Sequence, residues 1–293
     1  MLPVRLLLVL GLLALATGCD GKPPTGPSGT PPSPPPAGEQ RSTGPIAFVS
    51  DRDGTEAVYL ANEDGSVVTR LGQGRSPAWS SDGGKIALSR GTDIYMINVD
   101  GSGLQQIVVD GWEPDWSSDG RFIVFREPSA RSISVVEVNG SNRRTLYESE
   151  YGAFDPDWSQ DGQRVAFSDA GFRDFEPPKG LNVMNADGSG LQNIGVNEGE
   201  APAWSPDGSQ IAFISGGAGV GIVNPDGSGK RLQVAGIIAD VEWTLDGRLI
   251  YTRSAGGGQR IFISEGGVER QLIPEATAPL RAAYHDMEAV WRR

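Results

Sequence analysis

Short apolar runs alternate with polar turns along most of this chain, and the alternation repeats. The phrase Trp-x-x-Asp-Gly occurs five times, and each copy is followed by an apolar triplet that is typical of a strand. The tryptophans of these copies are Trp79, Trp116, Trp158, Trp204 and Trp243. A period of about 40 residues indicates a repeat architecture in which no unit can bury its apolar face alone.

Each repeat predicts the same series of strands and turns. The strands after the Asp-Gly turns include residues 86–88 and 211–213. We expect a two-residue or bulged turn before them, because Asp and Gly tolerate a left-handed backbone. Second strands such as residues 94–99 end at further turns, for example at Asp100 and Asn139, each followed by glycine. This order of strand, tight turn and strand predicts antiparallel sheets.

The repeats predict an all-β fold, a six-bladed β-propeller with four antiparallel strands in each blade, over residues 45–293. Residues 46–48 resemble a strand that follows Trp but have no Trp before them, whereas residues 288–291 end in Trp291. We therefore expect the C-terminal strand to join the N-terminal blade and close the ring. Because closure removes exposed sheet edges, which invite association, we expect a monomer.

One copy of the repeat carries a family resemblance. Residues 204–213, Trp-Ser-Pro-Asp-Gly-Ser-Gln-Ile-Ala-Phe, resemble the PD40, or WD40-like, repeat of the TolB family of bacterial envelope proteins. The resemblance covers nearly all of residues 44–293, although only Pro206 keeps the family's proline before Asp-Gly. From the residues before the repeats we expect no α/β domain of the kind that TolB carries. The resemblance therefore implies a TolB-like propeller of the cell envelope rather than TolB itself.

The N-terminal segment predicts export, lipidation and a tether. Arg5 precedes an apolar run, and Ala-Thr-Gly before Cys19 resembles the lipobox, in which a peptidase cuts before a cysteine that then carries lipid. We predict a lipoprotein signal peptide at residues 1–18 and lipid attachment at Cys19. Residues 19–44 are rich in proline and glycine and predict a semi-rigid spacer. A cleaved secretory signal with an incidental cysteine is the alternative.

Charge narrows the range of partners. The chain has 25 Lys and Arg residues against 37 Asp and Glu residues, and loss of the signal peptide removes one arginine and no acid. This acidity argues against nucleic acid and anionic lipid surfaces as partners. We therefore expect contact with the membrane through the lipid anchor only.

The repeat tryptophans predict packing between blades, because a half-buried Trp fills the wedge between neighbouring sheets with a large apolar body. This structural set is Trp79, Trp116, Trp158, Trp204, Trp243 and Trp291. Trp112 lies outside the repeat position, and we expect it in a loop, where packing and binding both stay open.

Acidic residues gather just before the repeat tryptophans, where the chain runs inward to the innermost strand. Repetition should bring them together around one mouth of the central channel, where like charges attract cations or a basic partner. The candidate set is Glu113, Asp115, Asp155, Asp157, Glu200, Asp240, Glu242, His285, Asp286 and Glu288. The alternative is solvated loop acids, and arginines expected in loops on the same face would cancel much of the field. These arginines are Arg52, Arg90, Arg126, Arg131, Arg173 and Arg253.

Nucleophilic catalysis finds little support in the sequence. The chain has one histidine, His285, and no Gly-x-Ser-x-Gly motif. We assign no catalytic residue and no metal ligand and expect no cofactor. A divalent cation in the channel, held by His285 with Asp286 or by carboxylates alone, stays open.

The leading hypothesis is a non-enzymatic, lipid-anchored envelope protein, exported across the inner membrane, whose propeller is a protein- or peptide-binding scaffold. The long loop at residues 168–180 carries Phe172 and Phe175, which suit contact with an envelope partner or closure over the channel. The alternative is a metal-dependent propeller enzyme that acts on a small ester, lactone or sugar at the acidic channel. The sequence leaves the partner and the choice of membrane open.

Overall fold

The computed structural model describes residues 46–62, 67–170, 180–255 and 258–272, and these residues form strands and turns without a helix. The predicted signal peptide, Cys19, the spacer and the C-terminal segment with Trp291 lie outside the described residues. Within the described ranges, no helix has the length and apolar character needed to cross a membrane.

The described residues form six antiparallel sheets from consecutive strands. The strands are β1 (Ile46–Ser50), β2 (Ala57–Ala61), β3 (Val68–Gln73), β4 (Arg75–Trp79), β5 (Lys85–Arg90), β6 (Asp93–Asn98), β7 (Gln105–Val108), β8 (Trp112–Trp116), β9 (Phe122–Glu127), β10 (Ser132–Glu137), β11 (Arg144–Glu148), β12 (Ala153–Trp158), β13 (Arg164–Asp169), β14 (Gly180–Asn185), β15 (Gln192–Asn193), β16 (Gly199–Trp204), β17 (Ile211–Ser215), β18 (Gly219–Val223), β19 (Arg231–Ala235), β20 (Ile238–Trp243), β21 (Leu249–Ala255), β22 (Gly258–Glu265) and β23 (Val268–Gln271).

Each sheet is one blade of a propeller. Blade 1 contains β1–β3, and blades 2 to 6 contain four strands each, β4–β7, β8–β11, β12–β15, β16–β19 and β20–β23. In blades 2 to 6 the first strand is innermost and ends in the repeat Trp. The strand predicted to complete blade 1, residues 288–291, lies outside the described residues, so its place in that blade stays a prediction.

The apolar core closes the ring. Ile46 and Phe48 of blade 1 pack in one cluster with Ile250 and Ile263 of blade 6. Every other pair of neighbouring blades shares a similar buried cluster. Because all six interfaces are filled, the sequence prediction of an all-β, six-bladed propeller is confirmed.

The repeat tryptophans pack between blades, as predicted. Trp79 of blade 2 lies among buried residues of blade 1, including Val49 and Val58. Trp204 of blade 5 lies in the same way among residues of blade 4, including Leu181 and Val183. Trp116 and Trp158 also pack on the preceding blade, and Trp243 packs partly buried against blade 5. Trp291 lies outside the described residues.

In blades 2 to 5 the turn after Trp is longer than the two-residue or bulged turn predicted, whereas in blade 6 Thr244 N donates to Arg248 O at 2.8 Å, so three residues connect the paired positions, as in a bulged turn. Ser80 N donates to Lys85 O at 2.9 Å and Gly83 N donates to Ser80 O at 2.9 Å, so four residues connect the paired positions. The Ser80 hydroxyl donates to Asp82 Oδ1 at 2.6 Å and accepts from Lys85 N at 2.9 Å. The prediction missed the serine after Trp, whose side chain satisfies the backbone of a wider turn.

The strand order gives the propeller two distinct faces. The turn face carries the connections from inner to second strand and from third to outer strand, such as residues 80–84 and 99–104. The loop face carries the remaining connections, such as residues 109–111 and 128–131, and the start of each inner strand. Since β1 occupies the second-strand position, the chain enters blade 1 on the turn face.

Candidate functional site at the channel mouth

The five described inner strands carry seven of the predicted acids, and the end of the channel at which these strands begin is here called the channel mouth. The inner strands β4, β8, β12 and β16 each contact the inner strand of the next blade. Three positions before the repeat Trp stand Glu113, Asp155 and Asp240, and directly before it stand Asp115, Asp157 and Glu242. Glu200 lies four positions before Trp204. The topology thus places all seven of these acids on strands, not in loops.

A repeated backbone irregularity shapes this mouth. Four residues that precede proline in consecutive inner strands have positive φ, namely Ser76 (47°), Glu113 (53°), Asp155 (49°) and Ala201 (46°). At each of them the pairing with the second strand shifts register. A bulge re-aims side chains and removes local ladder bonds, so nearby N–H groups need other acceptors.

The acids directly before Trp supply such acceptors across the blade boundary. Trp158 N donates to Asp115 Oδ2 at 2.8 Å, and Trp204 N donates to Asp157 Oδ2 at 2.7 Å. Asp115 is 5% exposed and Asp157 is 7% exposed. These two carboxylates therefore hold neighbouring inner strands together, and a role in binding an external ligand does not suit them.

Glu113 links two groups at the boundary of blades 3 and 4. Its Oε1 accepts from Arg126 Nη1 at 3.3 Å, and its Oε2 accepts from Asp155 N at 2.9 Å. The Arg126 guanidinium lies 4.0 Å from the ring centre of Phe154 and 5.4 Å from that of Trp112. Both charged side chains are nearly buried, at 14% exposed for Arg126 and 12% for Glu113.

This cluster corrects two sequence predictions. Trp112 lies in strand β8 rather than in a loop, and Arg126 lies in β9 rather than in a loop after it. Arg90 and Arg253, which were also expected in loops, likewise lie in strands β5 and β21. Sequence reasoning also missed Phe154, although its place before the Asp-Pro-Asp-Trp run at the start of an inner strand was visible. The predicted cancellation of charge by arginine is confirmed at Glu113, which pairs with Arg126.

Among the described residues, Glu200, which is exposed, and Asp155, which is half-buried, form the accessible part of the mouth. Glu200 is exposed by surface area yet closely surrounded by protein, as a group in a channel wall is. This desolvation, and then the charge of Asp155, raise the pKa of Glu200. Within the described residues, no side chain pairs with either carboxylate. An incoming cationic group would relieve their repulsion.

Asp240 and Glu242 lie deeper in blade 6. Asp240 is 1% exposed and its Oδ1 accepts from Val241 N at 3.0 Å, while Glu242 is 6% exposed. Their burial separates them from the accessible pair at Glu200 and Asp155.

Several predicted site residues fall outside the described ranges. These are Cys19, Phe172, Arg173, Phe175, His285, Asp286 and Glu288. Among the residues that are described, no three His, Cys, Asp or Glu side chains are close enough together to hold a metal ion.

Comparisons with known proteins bear on the fold. No protein-family model matches the sequence. An uncharacterized protein of Agrobacterium fabrum, Atu1656, is 29% identical over 196 residues, which cover 58% of this chain and 66% of that protein. The Tol-Pal system protein TolB of Gluconobacter oxydans is 41% identical over 51 residues, which cover 16% of this chain and 11% of TolB. The matches thus span less than two thirds of either relative.

Two solved structures share the propeller. TolB of Acinetobacter baumannii superposes with a TM-score of 0.67 at 19% identity, over 80% of this chain and 64% of that one. An oligogalacturonate lyase of Vibrio parahaemolyticus superposes with a TM-score of 0.56 at 17% identity, over 80% and 75% of the two chains. At these sequence identities the comparisons show a shared fold alone, because one fold can support different functions.

Proposed function

We propose that this chain is a lipid-anchored protein of the bacterial envelope whose propeller binds a protein or peptide partner at the channel mouth. One observation carries the proposal, namely the accessible pair Glu200 and Asp155 on a rigid closed ring. The neighbouring acids Asp115 and Asp157 are buried as acceptors for backbone N–H groups. Among the described acids, the pair is therefore the part that a partner can reach.

The pair favours a partner of basic character. Two carboxylates that repel each other in partly desolvated surroundings gain from a Lys or Arg side chain placed between them. Phe154 and Trp112 hold Arg126 next to Glu113, whose carboxylate accepts from Asp155 N, so the chain already stabilises a guanidinium in this part of the molecule. A basic segment of an envelope protein fits this chemistry.

The envelope location is supported by the sequence. The apolar run, Cys19 and the Pro-rich spacer together are typical of an exported lipoprotein. The likeness to a Tol-Pal system protein in sequence and to TolB in fold agrees with this location.

Capture of partners by the lipidated full chain tests the proposal. The chain is cross-linked in cells, solubilised in detergent, and the captured proteins are quantified for the parent and two variants. Glu200→Gln with Asp155→Asn should abolish capture of a specific partner. The matched control, Asp100→Asn with Asp187→Asn, removes the same amount of charge from the turn face. Blade 3 already has an asparagine, Asn139, at the equivalent position, so the fold accommodates this residue there.

Three results are decisive. Loss of one partner in the mouth variant, with retention in the turn-face control, supports the proposal. Equal loss in both variants would mean that only net charge matters, and equal retention would mean that the mouth is not the binding site. A further pair, Phe172→Ala and Phe175→Ala, tests the predicted contribution of the long loop.

The alternative of a metal-dependent enzyme depends on His285, Asp286 and Glu288, which lie outside the described residues. Metal analysis of the purified chain tests it directly. Stoichiometric metal that is lost on His285→Ala would favour the enzyme, and a partner captured through Glu200 would favour the scaffold.

A further inference from the structure

Exposed alkyl side chains are distributed unequally between the two faces of the propeller. In the described part of the chain, nine large apolar side chains are exposed, and seven of them lie on the turn face or at the turn-face ends of outer strands. Examples are Val67, Leu104, Leu191, Leu232, Leu245 and Val268. Of these nine described side chains, Val109 and Ile237 lie on the loop face.

The exposed positions recur from blade to blade. Leu104 and Leu191, each 44% exposed, directly follow the same Gly-Ser-Gly turn in blades 2 and 4, and Val268, 74% exposed, begins the outer strand of blade 6. Blade 3 has Arg143 at this place. The alkyl groups therefore stand singly around the rim of one face rather than in one patch.

This arrangement fits a flat surface better than a protein partner. A protein interface of standard size buries about 800 Å² on each side around a contiguous apolar centre, and single alkyl groups on separate blades do not provide such a centre. A lipid surface meets all points of one plane at once, and each alkyl group enters it independently.

The first described residue of the propeller also lies on the turn face. The described residues begin at Ile46, on the turn face of blade 1, and the 26-residue spacer and predicted lipid lie before it. An extended spacer of this length reaches about 80 Å, so it keeps the propeller within that distance of the membrane but does not orient it. Contacts on the face itself are needed for orientation.

We infer that the turn face rests against the membrane that carries the anchor, with alkyl side chains of its rim inserted among neutral, zwitterionic lipids. The inference rests on the lipid anchor of the proposed function and adds a second membrane contact to it. The channel mouth then faces away from the membrane, toward the partner.

The charge of the turn face indicates which class of lipid the face can contact. Each Asp-Gly turn places a carboxylate there, for example Asp82 and Asp119, and hydrogen bonds from the turn serines keep the pKa of these two groups low. The described turn-face connections carry eight carboxylates against four Lys and Arg side chains, so the face is negatively charged and is repelled by anionic lipid. Addition of anionic lipid should weaken the contact.

Depth-dependent quenching on the lipidated full chain tests the inference. Single substitutions Leu104→Cys, Leu191→Cys and Val268→Cys on the turn face, and Val109→Cys and Ile237→Cys on the loop face, carry a polarity-sensitive fluorophore. The Cys19 sulfur is consumed by the lipid, so only the introduced thiol reacts. The protein is reconstituted into phosphatidylcholine vesicles that contain a lipid-borne quencher, and flotation confirms anchoring.

Turn-face probes should be quenched several-fold more strongly than loop-face probes. Equal quenching on both faces, or none, in protein that floats would overturn the inference and leave the anchor intact. Protein that does not float would overturn the anchor and this inference, while partner capture through Glu200 is measured separately. A blue shift of turn-face probes without vesicles would show that protein covers the face, and would also overturn it.

A second variant separates the rim from the tether. Leu104→Asp, Leu191→Asp and Val268→Asp together should reduce quenching of a probe at Leu245→Cys several-fold, while the lipid keeps the protein on vesicles. The matched control, Val109→Asp with Ile237→Asp, should leave that quenching unchanged. Because all these side chains are exposed, unfolding curves should stay close to that of the parent.

Discussion

Trp158 donates its backbone N–H to the carboxylate of Asp115, 2.8 Å away in the preceding blade. The bond joins two inner strands at a point where a bulge interrupts the pairing within each blade. Asp157 repeats the contact with Trp204 one blade further on. The acids before Trp are therefore part of how this propeller holds its centre together.

Loss of the Asp157 carboxylate should destabilise the fold. Asp157→Ala leaves the buried Trp204 N–H without its acceptor, which costs about 1–3 kcal/mol. Chemical unfolding measures the change. Asp155→Asn, two positions away on the same strand, is the control, because Asn tolerates the positive φ there and no hydrogen bond to the Asp155 side chain is lost. Similar losses in both variants would refute the assigned role.

Arg126 should contribute more than an exposed arginine in an ion pair of similar length. Arg126→Met leaves Glu113, which is 12% exposed, without its cation and should cost about 3 kcal/mol. Arg75→Met breaks the 3.0 Å pair with Glu56, in which both side chains are 38% exposed, and should cost less than about 1 kcal/mol. Unfolding midpoints of the two variants provide the comparison. Equal shifts would show that burial does not set the difference.

Blade 3 carries an acidic and an amide residue in the opposite order to blades 2, 4 and 5. Those blades place Asn two positions before Asp, as at Asn98 and Asp100, whereas blade 3 has Glu137 and Asn139. Asn139 Nδ2 donates to Glu137 Oε2 at 3.3 Å. Asn139→Asp alone should lower the melting temperature, because it places two carboxylates together. Glu137→Asn combined with Asn139→Asp should restore it, and a double variant no better than the single one would contradict this account.

Glu200 should make stability depend on pH in a defined direction. Its raised pKa means that the fold favours the protonated form, so this contribution is present below the ordinary value of 4.5 and is lost as pH rises through the raised pKa. Glu200→Gln, which mimics the protonated form, should therefore increase the free energy of unfolding at neutral pH. The gain should disappear in acid. Denaturant titrations across pH measure it, and a variant less stable than the parent at neutral pH would rule out the desolvated pair.

The sequence predicted the parts of this protein that depend on local pattern. The spacing of Trp79 and its equivalents predicted the blades, because each Trp marks the end of an inner strand and each apolar run forms the next strand. The acids were also predicted on the correct part of each repeat. The sequence did not distinguish the roles of these acids, because Asp115 and Asp155 both lie within three residues before a repeat Trp.

Only the tertiary structure distinguished those roles. The donor to Asp115 lies 43 positions away and the donor to Asp157 lies 47 positions away, each in the next blade. The same blade boundary brings Phe154 over Arg126. A repeat shows which side chains are equivalent, but burial and hydrogen bonding depend on the neighbour that the closed ring places beside each blade. That is why the sequence by itself determined the propeller, and the packing of blades decided which of its acids remain accessible.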